Sequence, residues 1–394
     1  MSLSRVLRPG RLVGIDVARA VALVGMVATH VLDGHTASGE LTLTQELAGG
    51  RASALFAVLA GVSLALLSGG AEPFRGGDPV RTVLGLAARA VLIALLGLAL
   101  GELETGLAII LAYYGVLFLL GLPFLALRAR TLAVLAAVWV VAGPVVSHLV
   151  RPGLPERVFT SPDFGRLADP GPLLADLTFT GYYPAVPWLA YLLAGMALGR
   201  TDLRGWRVPA RLAGWGAGLV VAAVALSRLC TSSLSVREAI HPWAAITHDD
   251  LVAILGESQH GSTPTGGAWQ WLLVVSPHSG TPFDLAQGIG SALVVVGALL
   301  ALAHVLPDTG RAALAVAGGA GAMTLTLYSV HVVMKTPQVW PPERPDTFVW
   351  HVVVVLLTGA VFALLGRRGP LEAAVGWPGR SLQRVRPGRA AATR

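Results

Sequence analysis

The chain has 394 residues, of which 54% are hydrophobic and 13% charged, about half the charged share of a soluble protein (roughly 25%); a mean hydropathy of +0.67 excludes a soluble globule and implies a helical membrane protein with many spans. The net charge of +7 does not imply nucleic acid, because the arginines gather in short loops and the C-terminal segment, as the positive-inside rule expects. Cys230 is the only cysteine, which excludes an intramolecular disulfide and a cysteine-rich metal site.

Apolar runs near 20 residues predict about ten spans: 12–32, 52–69, 82–101, 106–127, 131–149, 182–199, 212–229, 284–304, 314–334 and 347–366. The first run lacks a small-residue cleavage site and is long enough to span, so it is expected as a helix rather than a signal peptide. Arg5, Arg8 and Arg11 place the N-terminus in the cytoplasm. The arginines at 75 and 81, 128 and 130, 200 to 211, and 311 mark the later inner loops. The expected fold is an all-α polytopic bundle with both termini cytoplasmic. Residues 1–366 form one transmembrane domain, and residues 367–394 form a basic cytoplasmic tail that lies on anionic lipid or moves freely. The outer loops 150–181 and 230–283 stand out by length. The second holds His241, His248, His260 and the pair Trp269 and Trp271, which suit a membrane interface.

The first span, LVGIDVARAVALVGMVATHVL, carries the strongest signal. Asp16, Arg19 and His30 are polar groups at membrane depth, where ionisable side chains are costly and mark functional sites by default. Arg19 and His30 are eleven residues apart, which puts them on one helix face about 16 Å apart along the axis. An imidazole takes a proton from a hydroxyl or amine near neutral pH, so His30 is a candidate general base. Asp16 orients Arg19 at i,i+3; a purely structural ion pair reads the same way. Arg89 lies eight residues past Arg81, as Arg19 lies eight past Arg11. Both guanidiniums therefore sit about 12 Å in from the inner loops, and together they suit a phosphate or carboxylate. Glu102 and Glu104 bracket the outer end of the third span, where a carboxylate near His30 would orient its ring, or a solvated loop would simply carry them. Before the eighth span stand His278, Ser279, Thr281 and Asp284; a helix cap explains the last three but not His278. In the ninth span Tyr328 and His331 share a face, and His331 and His351 lie at the depth of His30. No ligand-spaced histidine motif appears, so no metal is expected. The run GGAG at 318–321 implies close helix packing.

The segment IDVARAVALVGMVATH resembles the opening helix of the transmembrane acyltransferase superfamily, which includes the heparan-alpha-glucosaminide N-acetyltransferases. ILAYYGVLFLLGLP (110–123), YYPAVPWLAYLLAGMALGR (182–200), SPHSGTPFD (276–284), GAMTLTLYSVHV (321–332) and GRRGPLEAAVGWPGR (366–380) extend the resemblance, the last to a YeiB-like bacterial branch. The Arg19–His30 spacing also resembles the Arg-x10-His motif of a separate family that O-acylates surface polysaccharides. Two departures stand out. Many relatives carry Asn where His30 stands, and the heparan enzyme's histidine falls later, in the first outer loop, so His35 competes with His30 as the catalytic residue. The closing signature is degraded to Ala373, Ala374 and Val375.

The resemblance implies a multi-pass plasma-membrane acyltransferase. It takes acetyl-CoA or another acyl-CoA from the cytoplasm and passes the acyl group to a hydroxyl or amine of a sugar, glycan or small metabolite outside. On this reading Arg19 and Arg89 hold the donor, and Glu102, Glu104, His278, Tyr328 and His331 lie on the acceptor side. Lipid and the acceptor are the expected partners, nucleic acid is not, and a homo-oligomer stays open. The alternatives are a transporter of a small anionic solute using the same arginines, and a non-catalytic membrane scaffold.

Overall fold

The computed structural model describes residues 6–7, 10–257, 263–337, 339 and 346–384; His260 and the basic residues beyond 384 lie outside them. Among the described residues the secondary structure is helical, with one isolated bridge between His35 and Leu41. The helices are α1 (Val13–Val31), α2 (Leu43–Ala48), α3 (Arg51–Leu67), α4 (Pro79–Gly101), α5 (Leu111–Gly121), α6 (Ala129–Val150), α7 (Pro170–Ala175), α8 (Ala185–Gly199) and α9 (Arg207–Thr231). They continue as α10 (Leu234–Ile240), α11 (His248–Gly256), α12 (Pro282–Val305), α13 (Asp308–Ala317), α14 (Thr324–Met334), α15 (Thr347–Leu365), α16 (Pro370–Val375) and α17 (Trp377–Arg384).

Each of the ten predicted spans falls on a helix. Seven helices of the described residues are long and apolar enough to cross a membrane, or eight if α13 and α14 form one bent span. The other two are shorter than expected. The runs at 106–127 and 182–199 begin with irregular backbone, and helix starts only at Leu111 and Ala185. Local chemistry explains several boundaries. The Asp78 side chain accepts from the Val80 and Arg81 amides, with Pro79 in the first turn of α4, a favourable N-terminus because proline lacks only an amide that would be unpaired anyway. Thr281 caps α12 by accepting from the Asp284 amide. Gly366 ends α15 in the left-handed conformation that glycine adopts without a Cβ clash.

The centre of the bundle is the break between α13 and α14. The run Gly318–Ala322 forms a tight 3-10 turn, and the chain bends by 61° there. Helix α1 packs on this turn, on α3 and on α12, while α15 covers its other side. A Cβ on Gly321 would lie 1.6 Å from the Asp16 carbonyl oxygen, so only glycine lets α1 approach this closely. Helices α8 and α12 complete the interior against α3, α6 and α9. The segment 370–384, expected as part of a surface tail, is helical instead: α17 packs along α4, with Gly379 against Gly85.

Gly321→Ala is expected to lower the unfolding temperature in lipid nanodiscs, because overpacking a tight contact costs about 1–3 kcal/mol. Gly214→Ala, in α9 with open space around it, is the matched control and is expected to leave the midpoint unchanged or slightly higher.

Candidate active site

Arg19 and Arg89 are brought together, as their matched depths imply. Both line a cavity of about 690 Å³ at the arginine-rich end of the bundle, together with Arg11, Arg81, Arg367, Arg368, Glu372 and Arg380. Asp16 sits between two cations, accepting from Arg11 Nε at 2.7 Å and from an Arg19 terminal nitrogen at 3.1 Å. The other Arg19 nitrogen donates to Ser63 Oγ at 2.9 Å. Contrast Arg200, buried at the same end. Its guanidinium donates to the Ala65, Gly70 and Leu125 carbonyls and to Ser68 Oγ, so its role is to tie loops together.

A second, narrower cavity of about 110 Å³ shares Arg19 and Arg89 and is otherwise mostly apolar. It runs between Met26 on α1, Phe56 on α3, Ile110 just before α5, Tyr114 on α5, and Tyr328 on α14. The irregular backbone that shortened α5 lies here. Irregular backbone is tolerated at membrane depth only when it is buried in protein or lines a cavity, and the Ile110 amide donates to the Tyr328 hydroxyl at 3.4 Å. The break before α14 is held similarly: Glu372 accepts from the Thr326 amide at 3.1 Å and from Thr326 Oγ1 at 2.6 Å. A carboxylate at a helix N-terminus also complements the helix dipole.

One turn beyond Met26 is His30, and one turn beyond Tyr328 is His331. The two rings stack with centroids 5.3 Å apart, and His30 Nδ1 lies 3.1 Å from His331 Nε2. His331 Nδ1 in turn lies 3.0 Å from His351 Nδ1 on α15. The lone lysine, Lys335, donates to the His30 carbonyl oxygen at 2.8 Å. His30 thus has an imidazole at hydrogen-bond distance, and Glu102 and Glu104 take the solvated-loop alternative. Glu102 and Glu104 are exposed, and Glu102 accepts from the Phe164 amide at 3.0 Å, because the chain turns into solvent after α4. His35 is also exposed and pairs with Glu257 at 3.4 Å.

His278 belongs to a separate aromatic cluster, at a positive φ of 57° in the turn before α12. Its ring stacks on Trp188 and meets Tyr182 and Tyr183 edge-on. Tyr113 and Arg166 anchor this cluster by donating to the buried Asp176. Burial raises the Asp176 carboxyl above its ordinary range, and the Arg166 hydrogen bond opposes that rise.

Sequence reasoning missed Glu372, Arg380 and the coupling of His351 to His331. The depth of His351 was a signal for the last; the first two lay in a segment taken for a tail.

A family model for the catalytic region of heparan-alpha-glucosaminide N-acetyltransferases matches residues 11–236. The chain belongs to this family. It is therefore a multi-pass membrane protein of acetyltransferase type. No curated protein matches the chain. The acetyltransferase match takes in Asp16, Arg19, His30 and Arg89, whereas Tyr328, His331, His351 and Glu372 lie beyond it.

Asp16→Ala is expected to cost about 3 kcal/mol of stability, since removing one partner of a buried ion pair strands the other; here two guanidiniums, each about a fifth exposed, lose their counter-charge. Ser63→Ala removes one hydrogen bond to Arg19 and is expected to cost about 1.5 kcal/mol. Thermal unfolding of both variants in nanodiscs checks the order.

Proposed function

We propose that this protein moves an acyl group from acyl-CoA, bound at the arginine-rich end, to a hydroxyl or amine acceptor at the histidine end. The observation that carries the reading is the pair of adjacent cavities that share Arg19 and Arg89 in their linings. The larger is basic and suits the phosphates of CoA, which arginine grips through paired N–H donors. The smaller is narrow and apolar and suits the pantetheine arm. That arm is chemically about four residues long, hence on the order of 15 Å extended, close to the rise of about 16 Å from Arg19 to His30.

Arg19 and Arg89 bind and orient the donor. His30 accepts the proton that the acceptor hydroxyl or amine loses as its oxygen or nitrogen bonds to the acyl carbon. The C–S bond breaks, and CoA leaves as the thiolate toward the basic cavity. Asp16 fixes Arg19, and Tyr328 lines the path between the two ends. The family places the acetyl group and an amino sugar first among candidates for acyl group and acceptor. The arginine distribution supports an orientation with the basic cavity opening to the cytoplasm, and this reading places the protein in the plasma membrane. The bent span α13–α14 favours a second reading, since interrupted helices also build transporter sites. Turnover separates the two: a transporter releases no CoA from acetyl-CoA.

Acetyl-CoA binding to the protein in nanodiscs is expected to weaken at least tenfold in both Arg19→Ala and Arg89→Ala, because hydrogen bonds to charged groups contribute about 1.5–3 kcal/mol each. Arg207→Ala, where the guanidinium lies over Trp206 instead, is expected to bind as the wild type does. Unchanged affinity in both cavity variants removes the proposal. Free CoA release with a panel of amino sugars and polyols is expected in the wild type and lost in His30→Ala.

A further inference from the structure

His30, His331 and His351 come from three helices, and their nitrogens meet in series: Nδ1 to Nε2 at 3.1 Å, then Nδ1 to Nδ1 at 3.0 Å. Both separations are hydrogen-bond distances. Among the described residues, no group of three His, Cys, Asp or Glu side chains is arranged to hold a metal ion. His331 and His351 are fully buried, and the base role given to His30 needs nothing of either. From this geometry we infer that the three imidazoles form one proton relay, in which His331 and His351 set the tautomer of His30 and carry away the positive charge it gains. The inference rests on the transferase reading for its use, though not for its existence.

Proton counting makes the relay definite. A neutral imidazole holds one N–H, so three rings hold three protons, and the two inter-ring contacts take one each. The third sits at one end of the chain. In one arrangement His30 Nδ1–H donates to His331 Nε2, and His331 Nδ1–H donates to His351 Nδ1. His351 then carries its proton on Nε2, and His30 Nε2 is a bare base. In the other arrangement all three tautomers are reversed, and His30 Nε2 is protonated and cannot act as a base. The ends are therefore complementary: one is the Nδ1–H tautomer and the other the Nε2–H tautomer.

During transfer, a proton taken at His30 Nε2 is matched by passage of the Nδ1 proton to His331 Nε2. The His331 Nδ1 proton then passes to His351 Nδ1. No ring gains or loses electrons, and the positive charge moves from His30 to His351, two helices away from the new ester or amide. Lys335 is the nearby cation, held on the His30 carbonyl. The relayed charge rests on His351 until the relay runs back and His30 Nε2 gives up its proton, which makes His30 a base again. His331 and His351 are positioning residues in this scheme; neither touches the acceptor.

Solid-state NMR of the full chain, labelled with 15N-histidine and reconstituted in lipid, tests the relay without any substrate. Two inter-ring 15N correlations are expected, one Nδ1–Nε2 and one Nδ1–Nδ1, with opposite tautomers at His30 and His351. His351→Phe is expected to lose only the second correlation, and His331→Phe both. Missing correlations in the wild type, or the same tautomer at both ends, overturn the relay. CoA release from acetyl-CoA with the amino-sugar panel tests its use. His351→Gln, which keeps a donor and an acceptor but cannot exchange tautomers, is expected to lower kcat at least tenfold with KM for acetyl-CoA unchanged; wild-type turnover in this variant overturns the transport role. Silence of the wild type with every acceptor counts against the transferase reading, while the correlations still decide the relay.

Discussion

A bilayer offers no hydrogen bonds to backbone groups, so a break inside a span must be enclosed by protein. The turn at Gly318–Ala322 is such a break, and most of the candidate site follows from how it is enclosed. Helix α1 lies across it because Gly321, having no Cβ, lets the Asp16 carbonyl approach closely. Helix α15 covers the opposite side. The segment carrying Glu372 returns from beyond α15 to satisfy the exposed start of α14. Each of these covers also imports chemistry: α1 brings Arg19 and His30, α15 brings His351, and the returning segment brings Arg380 to the basic cavity. A local need for hydrogen-bond partners thus gathers charges from distant parts of the sequence.

The charges are sorted along the axis. At one end, arginines outnumber carboxylates around the larger cavity, and the one acid on α1 there is held between two of them. Midway, the narrow cavity is mostly apolar, with Tyr114 and Tyr328 among its few polar side chains. At the other end stand three imidazoles, each able to give a proton at one ring nitrogen and take one at the other. An anion is favoured at the first, a thin apolar chain at the second and proton exchange at the third. That order matches the parts of an acyl-CoA and its acceptor.

Much of this was legible in the sequence. The i,i+3 and i,i+11 spacings of α1 placed Asp16, Arg19 and His30 on one face, and the match in depth between Arg19 and Arg89 anticipated their shared cavities. Each run found by hydropathy falls on a helix, but the runs overran the starts of α5 and α8, because buried irregular backbone is as apolar as the helix it precedes. The GGAG run announced close packing; the bend it makes was not readable, since small residues serve a straight crossing and a tight turn equally well. For Glu102 and Glu104 the sequence left an orienting carboxylate and a solvated loop both open, because nearness to a span end says nothing of which way the chain turns next; their exposure agrees with the loop. The pairing of His331 with His351 joins neighbouring helices whose facing sides no single-helix periodicity reveals.

The closure of the basic cavity by α16 and α17 bears on how the protein is made. A membrane protein enters the bilayer from its N-terminus as the ribosome delivers it, so α1, α3 and α4 are in place long before residues 370–384 emerge. Until then the cavity lacks Glu372 and Arg380, the start of α14 lacks its carboxylate, and Gly85 on α4 has nothing against it. Assembly of the donor end is therefore a late event in biosynthesis, withheld from every shorter nascent chain.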